Sequence, residues 1–299
     1  MLRFEKVSLG AVELNVALAG DPAARPIICL HGFPEYWAAW RDVMTDLARD
    51  FFVIVPDQRG YNLSTKPQGV DAYKGRALAS DIVALAEHFA PGQRIALAGH
   101  DWGASVAYAV AMLFPERVSH LIIANGVHPV CFQRAIFDDP AQRAASQYIN
   151  KLRDPATDQR LVEDGCRRAF RMIEGFSPAP WLIGEVRDGY REAWSQPGAM
   201  TAMLNWYRAS PVIVPEPGAP APRSTILNAD PAAFQVRCPH LLLWGEADTA
   251  LRPSCIEGLG EFAADLTVEH IEGATHWILH EKPAVVAGSM RRWLASRSG

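Results

Sequence analysis

An aspartate stands between two glycines where an apolar run meets a helical pattern, in the segment Ala98-Gly99-His100-Asp101-Trp102-Gly103-Ala104. In the related G-x-S-x-G turn, small flanking residues permit a strained strand-to-helix turn that holds a nucleophile clear of the backbone. The predicted nucleophile here is Asp101, which the free N–H groups of a helix N-terminus would stabilise as an anion. A carboxylate attacks saturated carbon, so the predicted intermediate is an alkyl ester of Asp101 that water must cleave at the carboxyl carbon.

Hydrolysis of such an ester needs an activated water and therefore a base. Among the nine histidines, His276 follows the last predicted strand, and Asp248 follows the strand before it and can orient the imidazole. Nucleophile, acid and histidine thus occur in the chain order found for catalytic triads that are built on this kind of turn. The sequence predicts that Asp101, Asp248 and His276 act together.

A second glycine-containing turn follows an earlier apolar run, in the segment His31-Gly32-Phe33-Pro34-Glu35. A turn at the same sheet edge would point backbone N–H groups toward the aspartate. We assign the predicted oxyanion hole to the backbone N–H groups of Phe33 and Trp102. They would stabilise the charge that develops on the Asp101 carboxylate during hydrolysis of the ester.

These residues need a rigid sheet edge, and the apolar pattern of the chain predicts one. Several runs rich in Val, Ile and Leu are apolar on consecutive residues, as strands covered on both faces are. Helical patterns lie between them, over residues 78–89 and 102–114. Alternating strands and helices predict a mostly parallel, doubly wound α/β sheet, and the first twenty residues predict an antiparallel hairpin. The predicted strands are Pro26–Leu30, Phe51–Val55, Arg94–Ala98, Val118–Ala124, Pro239–Trp244 and Leu266–Ile271.

The alternation of strands and helices stops after Asn125 and resumes at Pro239. The interval predicts several helices, followed by a stiff, irregular connector with five prolines between Pro211 and Pro222. We predict that these helices form an inserted cap, or lid, that packs on the sheet. The predicted cap helices are Ala141–Leu152, Gln159–Ile173, Trp181–Ser195 and Ala199–Ala209. The predicted parts of the chain are a core of residues 1–128, a cap of residues 129–225 and a second part of the core, residues 226–299.

The composition excludes several classes of protein. With 49% hydrophobic and 21% charged residues, the chain is neither disordered nor fibrous. Its formal net charge of -4 and its lack of a basic run argue against nucleic acid as a partner. Five cysteines without a C-x-x-C spacing argue against a disulfide framework and a zinc site, and we expect no cofactor and no metal. Without an apolar leader or a run of ~18 apolar residues, we expect a cytoplasmic protein with no membrane partner.

Five segments of the chain resemble the α/β-hydrolase superfamily and, within it, the epoxide hydrolases and their relatives, the haloalkane and haloacetate dehalogenases. The resemblance covers nearly the whole chain and implies an α/β-hydrolase fold. It also implies that the protein opens an epoxide to a vicinal diol through an Asp101 ester, which water activated by His276 and Asp248 then hydrolyses. The segments are His31-Gly32-Phe33-Pro34-Glu35, Asp57-Gln58-Arg59-Gly60-Tyr61, Gly99-His100-Asp101-Trp102-Gly103, Gly245-Glu246-Ala247-Asp248 and Thr275-His276-Trp277.

The resemblance further implies two tyrosines in the cap whose hydroxyls grip the epoxide oxygen. Tyr207, in Leu204-Asn205-Trp206-Tyr207-Arg208, matches the second of the pair, and Tyr148, six residues before Asp154-Pro155, matches the first. Tyr190 also lies in the predicted cap and is an alternative to Tyr148. The resemblance also implies a cis peptide bond between Phe33 and Pro34.

Two other functions stay open at this point. The first is a dehalogenase that uses the same nucleophile, but haloalkane dehalogenases often carry Asn where Phe33 stands, and haloacetate dehalogenases carry Arg where Trp102 stands. A neutral tyrosine can donate a hydrogen bond and a proton to a departing alkoxide, which favours an epoxide. The second is a non-catalytic small-molecule receptor, which would not need the full set of catalytic residues. We therefore expect a small hydrophobic epoxide as the partner and allow for a homodimer.

Overall fold

The computed structural model describes residues 2–297 of the chain. Its strands are β1 Arg3–Ser8, β2 Glu13–Ala19, β3 Arg25–Leu30, β4 Phe51–Pro56, β5 Ile95–His100, β6 Val118–Ala124, β7 His240–Gly245 and β8 Leu266–Ile271. They form one eight-stranded sheet in the spatial order β1-β2-β4-β3-β5-β6-β7-β8. The β1-β2 and β2-β4 pairs are antiparallel, and every other pair is parallel. The predicted hairpin and the mostly parallel sheet are both confirmed.

The order of the strands reverses at β3. From β3 the chain first adds β4 on one side and then returns to add β5 on the other. In open α/β sheets, such a switch point leaves a crevice beyond the carboxyl ends of the two strands, where ligands bind. The two glycine-containing turns follow β3 and β5, so the sheet topology alone brings them to this crevice.

Helices cover both faces of the sheet, which explains the consecutive apolar residues in the strands. Every residue of β4, β5 and β7 is buried, as expected for strands between two helical layers. The α-helices of the described residues are α1 Arg41–Leu47, α2 Gly75–Phe89, α3 Trp102–Leu113, α4 Pro129–Asp138, α5 Pro140–Ala145, α6 Tyr148–Arg153, α7 Thr157–Phe176, α8 Gly184–Ser195, α9 Ala199–Ala209, α10 Ile278–Glu281 and α11 Pro283–Ser296.

Helices α4–α9, called the inserted helices below, lie between β6 and β7, where the sequence predicts an insertion. Of the predicted helices there, only α9 has the predicted bounds. The helix predicted over Ala141–Leu152 is instead two helices, α5 and α6, because the buried Gln142 amide binds Ser146 Oγ and the Ala250 carbonyl and ties the turn between them to the core. The boundaries of the cap at residues 129 and 225 stay a prediction.

Two other predicted helices differ from the structure. The helix predicted over Gln159–Ile173 is interrupted in α7, where residues 164–166 have φ angles between 52° and 66°; Gly165 adopts this left-handed conformation readily. The helix predicted to begin at Trp181 begins at Gly184, because Ile183 is extended and Trp181 stacks flat on His280. The sequence patterns that we used missed α1, α4, α10 and α11.

All five cysteines lie within the described residues, and all are buried and unpaired. This agrees with the prediction that the chain has no disulfide framework. Within residues 2–297, no helix combines the length and the apolar character that crossing a bilayer would require.

Candidate active site

The predicted turn between strand and helix is present at Asp101. Strand β5 ends at His100, α3 begins at Trp102, and Asp101 between them has φ 49° and ψ −117°. The neighbouring glycines are required by close packing. A Cβ atom on Gly99 would lie 2.4 Å from the Gly103 carbonyl oxygen, and one on Gly103 would lie 2.2 Å from the Leu30 carbonyl oxygen. Backbone atoms cannot move aside as a flexible side chain can, so larger residues would displace the nucleophile.

We expect Gly103→Ala to lower the free energy of unfolding by about 1 to 3 kcal/mol, the usual effect of forcing a group into a packed interior. The matched control is Gly175→Ala in α7, where a new Cβ would have nothing within 4 Å. Because alanine is the better helix former, that variant should be equal to or slightly more stable than the wild type. Urea unfolding followed by circular dichroism measures the free energy of unfolding of both variants. If Gly103→Ala is as stable as Gly175→Ala, this account of the turn is wrong.

The structure brings the three predicted catalytic residues into contact. His276 Nδ1 lies 2.8 Å from Asp248 Oδ2, and His276 Nε2 lies 3.4 Å from Asp101 Oδ2. The imidazole therefore stands between the two carboxylates, with one ring nitrogen toward each. This geometry lets Asp248 fix the orientation of the ring while the other nitrogen faces the reacting carboxyl group.

Asp248 is held by more donors than His276 alone. Its Oδ1 accepts hydrogen bonds from the backbone N–H groups of Ala250 and Leu251, at 2.8 and 2.9 Å. Its Oδ2 accepts a further bond from Asn125 Nδ2 at 2.7 Å, and Asn125 Oδ1 accepts one from the Gly245 N–H. Asn125 directly follows β6, and Gly245 is the last residue of β7. The Asn125 side chain therefore connects Asp248 to the carboxyl ends of these two neighbouring strands. We did not single out Asn125 from the sequence, although its place after a predicted strand was a usable signal.

Neighbouring charges determine the direction of the pKa shifts of His276 and Asp248. Burial alone would lower the pKa of His276, but the charge of Asp248 and the hydrogen bonds to Asp101 and Asp248 raise that pKa well above its usual range. Burial would raise the pKa of Asp248, but the charge and hydrogen bond of His276 hold it below its usual value. The charge of Asp248 and the hydrogen bonds to both carboxyl groups therefore favour the protonated form of the resting imidazole.

A backbone donor also points at the nucleophile. The Phe33 N–H donates to Asp101 Oδ1 at 2.7 Å, as the first half of the predicted oxyanion hole requires. A Cβ on Gly32 would lie 2.5 Å from Asp101 Cβ, so this close approach needs a glycine. Trp102 is the first residue of α3 and its ring lines the cavity described below; the role of its N–H stays a prediction. The Phe33–Pro34 peptide is cis, as the resemblance implies.

A buried acidic group lies behind His276. Glu35 Oε2 accepts the Gly32 N–H and contacts His100 Nδ1, each at 2.8 Å, while His100 Nε2 lies 2.8 Å from the His276 carbonyl oxygen. Burial favours the neutral acid, but the charge and hydrogen bond of His100 hold the pKa of Glu35 well below its usual range. The sequence pattern alone assigned His100 no role in the site. The structure shows that Glu35 and His100 anchor the backbone of the Gly32 turn and of the loop that carries His276.

The two predicted tyrosines lie next to each other and line the same cavity as Asp101. Tyr148 begins α6, Tyr207 lies near the end of α9, and their ring centroids are 6.3 Å apart at an interplanar angle of 80°. The Arg153 guanidinium joins the two helices, because its Nε donates to the Tyr207 carbonyl. Tyr190, the alternative, is placed elsewhere: its hydroxyl is 2.9 Å from His280 Nε2.

A cavity of about 220 Å³ connects these groups. Asp101, Trp102, Tyr148 and Tyr207 all line it, among mostly apolar side chains. Burial, followed by nearby negative charge including that of Asp101, raises the pKa of both tyrosines above its usual value. Both hydroxyls therefore keep their protons at neutral pH and can act as hydrogen-bond donors.

The model of the α/β-hydrolase fold family matches residues 25–283 of the chain. This chain belongs to the α/β-hydrolase family. The fold predicted from the resemblance is thereby confirmed. Among its relatives, this hydrolase is 36% identical over 282 residues to the AB hydrolase superfamily protein YfhM of Bacillus subtilis, covering 94% of this chain and 93% of that protein.

Several relatives of this hydrolase bear the name epoxide hydrolase. Epoxide hydrolase A of Mycobacterium tuberculosis is 30% identical, covering 96% of both chains. A solved structure described as a novel epoxide hydrolase from metagenomes of hot environments shares 35% identity with a TM-score of 0.89, covering 98% of this chain and 99% of that one. The Bacillus megaterium epoxide hydrolase, solved with an inhibitor, has 27% identity and a TM-score of 0.87, with coverage of 98% and 100%. These matches confirm the resemblance to the epoxide hydrolases.

Proposed function

We propose that this hydrolase opens an epoxide to a vicinal diol through a covalent ester of Asp101. The observation that carries the proposal is the placement of Tyr148 and Tyr207 in one cavity with Asp101, within reach of a His276–Asp248 pair. The relatives named above as epoxide hydrolases support the same reaction.

In the first half of the proposed reaction, Asp101 attacks a carbon of the oxirane and the carbon–oxygen bond breaks. The strained turn and the contact with His276 Nε2 fix the attacking carboxylate in place. Negative charge develops on the departing oxygen, and the hydroxyls of Tyr148 and Tyr207 donate hydrogen bonds to it. A proton from one of the phenols then completes the alcohol.

In the second half, water attacks the Asp101 ester at its carboxyl carbon. Forming the ester removes the negative charge that lay 3.4 Å from His276 Nε2 and that helped to raise the pKa of the imidazole. Loss of that charge favours release of the proton held by the resting imidazole, and this proton passes through solvent to the phenolate left by the first half. The neutral imidazole then takes a proton from the attacking water. The Phe33 N–H stabilises the oxyanion that forms on the carboxyl group. When this intermediate collapses, the bond between the carboxyl carbon and the substrate oxygen breaks, and that oxygen takes the proton from His276 as the diol leaves. The Asp101 acid then returns its proton to the imidazole, which restores the resting site.

We expect Tyr207→Phe to slow ester formation with an epoxide by roughly ten- to a hundredfold, because a hydrogen bond to a charged acceptor is worth about 1.5 to 3 kcal/mol. Tyr148→Phe should have a similar effect, and the double variant should nearly stop the reaction. Rapid-mixing measurements of tryptophan fluorescence follow this step, since Trp102 lies beside the nucleophile. Tyr190→Phe is the matched control and should react at the wild-type rate, because its hydroxyl contacts His280.

A substrate panel separates the proposed function from its rivals. Purified protein is assayed on aryl, alkyl and terminal epoxides, with halide release measured in parallel on alkyl halides. A departing halide is a diffuse and weak acceptor, so its release should depend little on the two phenols. Faster turnover of alkyl halides than of any epoxide would establish a dehalogenase in place of an epoxide hydrolase. Binding of epoxides without turnover of either class would establish a receptor.

The proposed partner is a small hydrophobic epoxide, in accord with the mostly apolar lining of the cavity. A cytoplasmic location also remains part of the proposal, and the five unpaired, buried cysteines fit a reducing compartment. A homodimer and the lack of nucleic-acid and membrane partners stay predictions.

A further inference from the structure

The cavity extends away from the nucleophile along one face of α3. Besides Asp101 and Trp102, its wall includes Ser105, Ala109 and Met112. Residues spaced by three or four positions share one side of a helix, so these side chains form a continuous strip. At a rise of 1.5 Å per residue, the strip from Asp101 to Met112 is about 16 Å long. This length exceeds what an oxirane and the catalytic groups alone would occupy.

The proline-containing connector that follows α9 contributes a second stretch of the cavity wall. Ser210, Pro211 and Val212 line the cavity there, together with Ile226 further along the chain. Side chains of the inserted helices hold this connector by its backbone. Gln133 binds both the N–H and the carbonyl of Ile213, at 2.8 and 2.9 Å.

Two further side chains hold the same connector. Asn150 Nδ2 donates to the Val214 carbonyl at 2.9 Å, and Arg153 Nη2 donates to the Val212 carbonyl at 2.7 Å. These hydrogen bonds reach the backbone of residues 212–214 and hold the connector in place. The extension is therefore a preformed arm of the cavity, which we call the α3 arm, bounded by α3 and residues 210–212 and 226.

The side chains that line the α3 arm are mostly apolar and carry no charge. Of the described residues that line the cavity, none is a lysine, an arginine or a histidine, and Asp101 is the only acid. Ser105 and Ser210 supply the hydroxyls along the arm. A carboxylate brought into such surroundings would lose its hydration without gaining a cationic partner. The arm thus suits an apolar substituent that ends without a charge.

We propose that the α3 arm holds a long, unbranched and uncharged substituent of the epoxide, and that Ala109 and Met112 set the length it can have. The inference rests on the proposed function and adds to it the class of substrate. Ala109 is small and lies midway along the strip, so it leaves room for the substituent. Met112 lies at the end of the strip farthest from Asp101, where a larger side chain would shorten the arm.

The test compares terminal alkene oxides of increasing length, namely butene oxide, octene oxide and dodecene oxide, on the wild type and on Ala109→Leu. In the wild type, kcat/KM should rise with chain length as more apolar surface is buried. Ala109→Leu should lower kcat/KM for dodecene oxide by at least about tenfold, while butene oxide is turned over at close to the wild-type rate. Unchanged length dependence in this variant would overturn the proposal.

Two further variants keep the test decisive. Met112→Trp should reduce turnover of dodecene oxide alone, because it shortens only the far end of the arm. Ala284→Leu makes the same change as Ala109→Leu at an exposed position of α11 and should leave every rate unchanged. If both arm variants lose butene oxide and dodecene oxide turnover equally, the residues do not discriminate length and the proposal fails.

A charged substrate tests the other half of the inference. An epoxide of the same length as dodecene oxide, but ending in a carboxylate, should have a kcat/KM at least about tenfold lower on the wild type. Equal or faster turnover of the acid would show that the arm accepts a charge and would overturn this part. Failure to open any epoxide, butene oxide included, would instead refute the proposed function itself, so the two failures are distinguishable.

Discussion

Asp101→Asn is expected to lower the steady-state rate of epoxide opening by more than about 10⁴-fold, the scale found when a catalytic nucleophile is removed. An amide is a far poorer nucleophile than a carboxylate, and it also removes the negative charge opposite His276 Nε2. The fold should be retained, since Asn has nearly the same shape. The matched control is Asp42→Asn, at an exposed position of α1, which should keep wild-type activity and stability.

The fate of heavy oxygen tests the same residue directly. In a single turnover in heavy-oxygen water, the attacking water adds to the Asp101 carboxyl carbon, and the diol leaves with an original carboxylate oxygen. The first diol should therefore be unlabelled, and the label should appear on the protein. Trypsin places Asp101 in the peptide Ile95–Arg117, whose mass reports the label. Label that enters the diol in the first turnover would show that water attacks the epoxide itself.

His276→Gln is expected to leave ester formation possible and to slow ester hydrolysis by about 10²- to 10⁴-fold, the contribution typical of a general base. The substrate-derived adduct should accumulate on the protein, and intact-mass spectrometry should show it persisting long after mixing. Asp101 keeps its bond from the Phe33 N–H in this variant, so the attacking group stays in place.

Its matched control is His88→Gln on α2, where the imidazole is exposed and its Nε2 lies 3.2 Å from a carboxylate oxygen of the exposed Glu5. That variant should show wild-type turnover and no lasting adduct. An absence of adduct in folded His276→Gln would mean that the imidazole is needed for the attack by Asp101, or that another group activates the water. Either result would refute the assignment of His276 to the second half-reaction.

The parts of the fold that could be predicted are those that local pattern determines. Consecutive apolar residues predicted the parallel strands, because burial on both faces leaves no room for alternation. Two of these strands, β6 and β8, have the predicted bounds. The glycines around Asp101 and the chain order of Asp101, Asp248 and His276 likewise predicted three side chains that the structure brings together.

The parts that could not be predicted depend on distant neighbours. Asn125 acts on Asp248, which lies 123 positions further along the chain, and His100 binds the backbone of a residue 176 positions away. A local pattern can place Asn125 or His100 at the end of a strand, but it cannot identify the partner of either side chain, because only the sheet order makes the partners adjacent. The division between α5 and α6 has the same origin, since the Gln142 amide binds the Ala250 carbonyl across the fold.

The burial of all five cysteines has a practical consequence for labelling the protein. Maleimides react with exposed thiolates, whereas burial raises the pKa of Cys131 and Cys238 to about 11 and keeps these thiols protonated. Ile183, which is 68% exposed and directly precedes α8, offers a surface position for a new thiol. An Ile183→Cys variant should therefore take up a single fluorophore in the otherwise native protein, and its emission would report motion of the inserted helices during turnover.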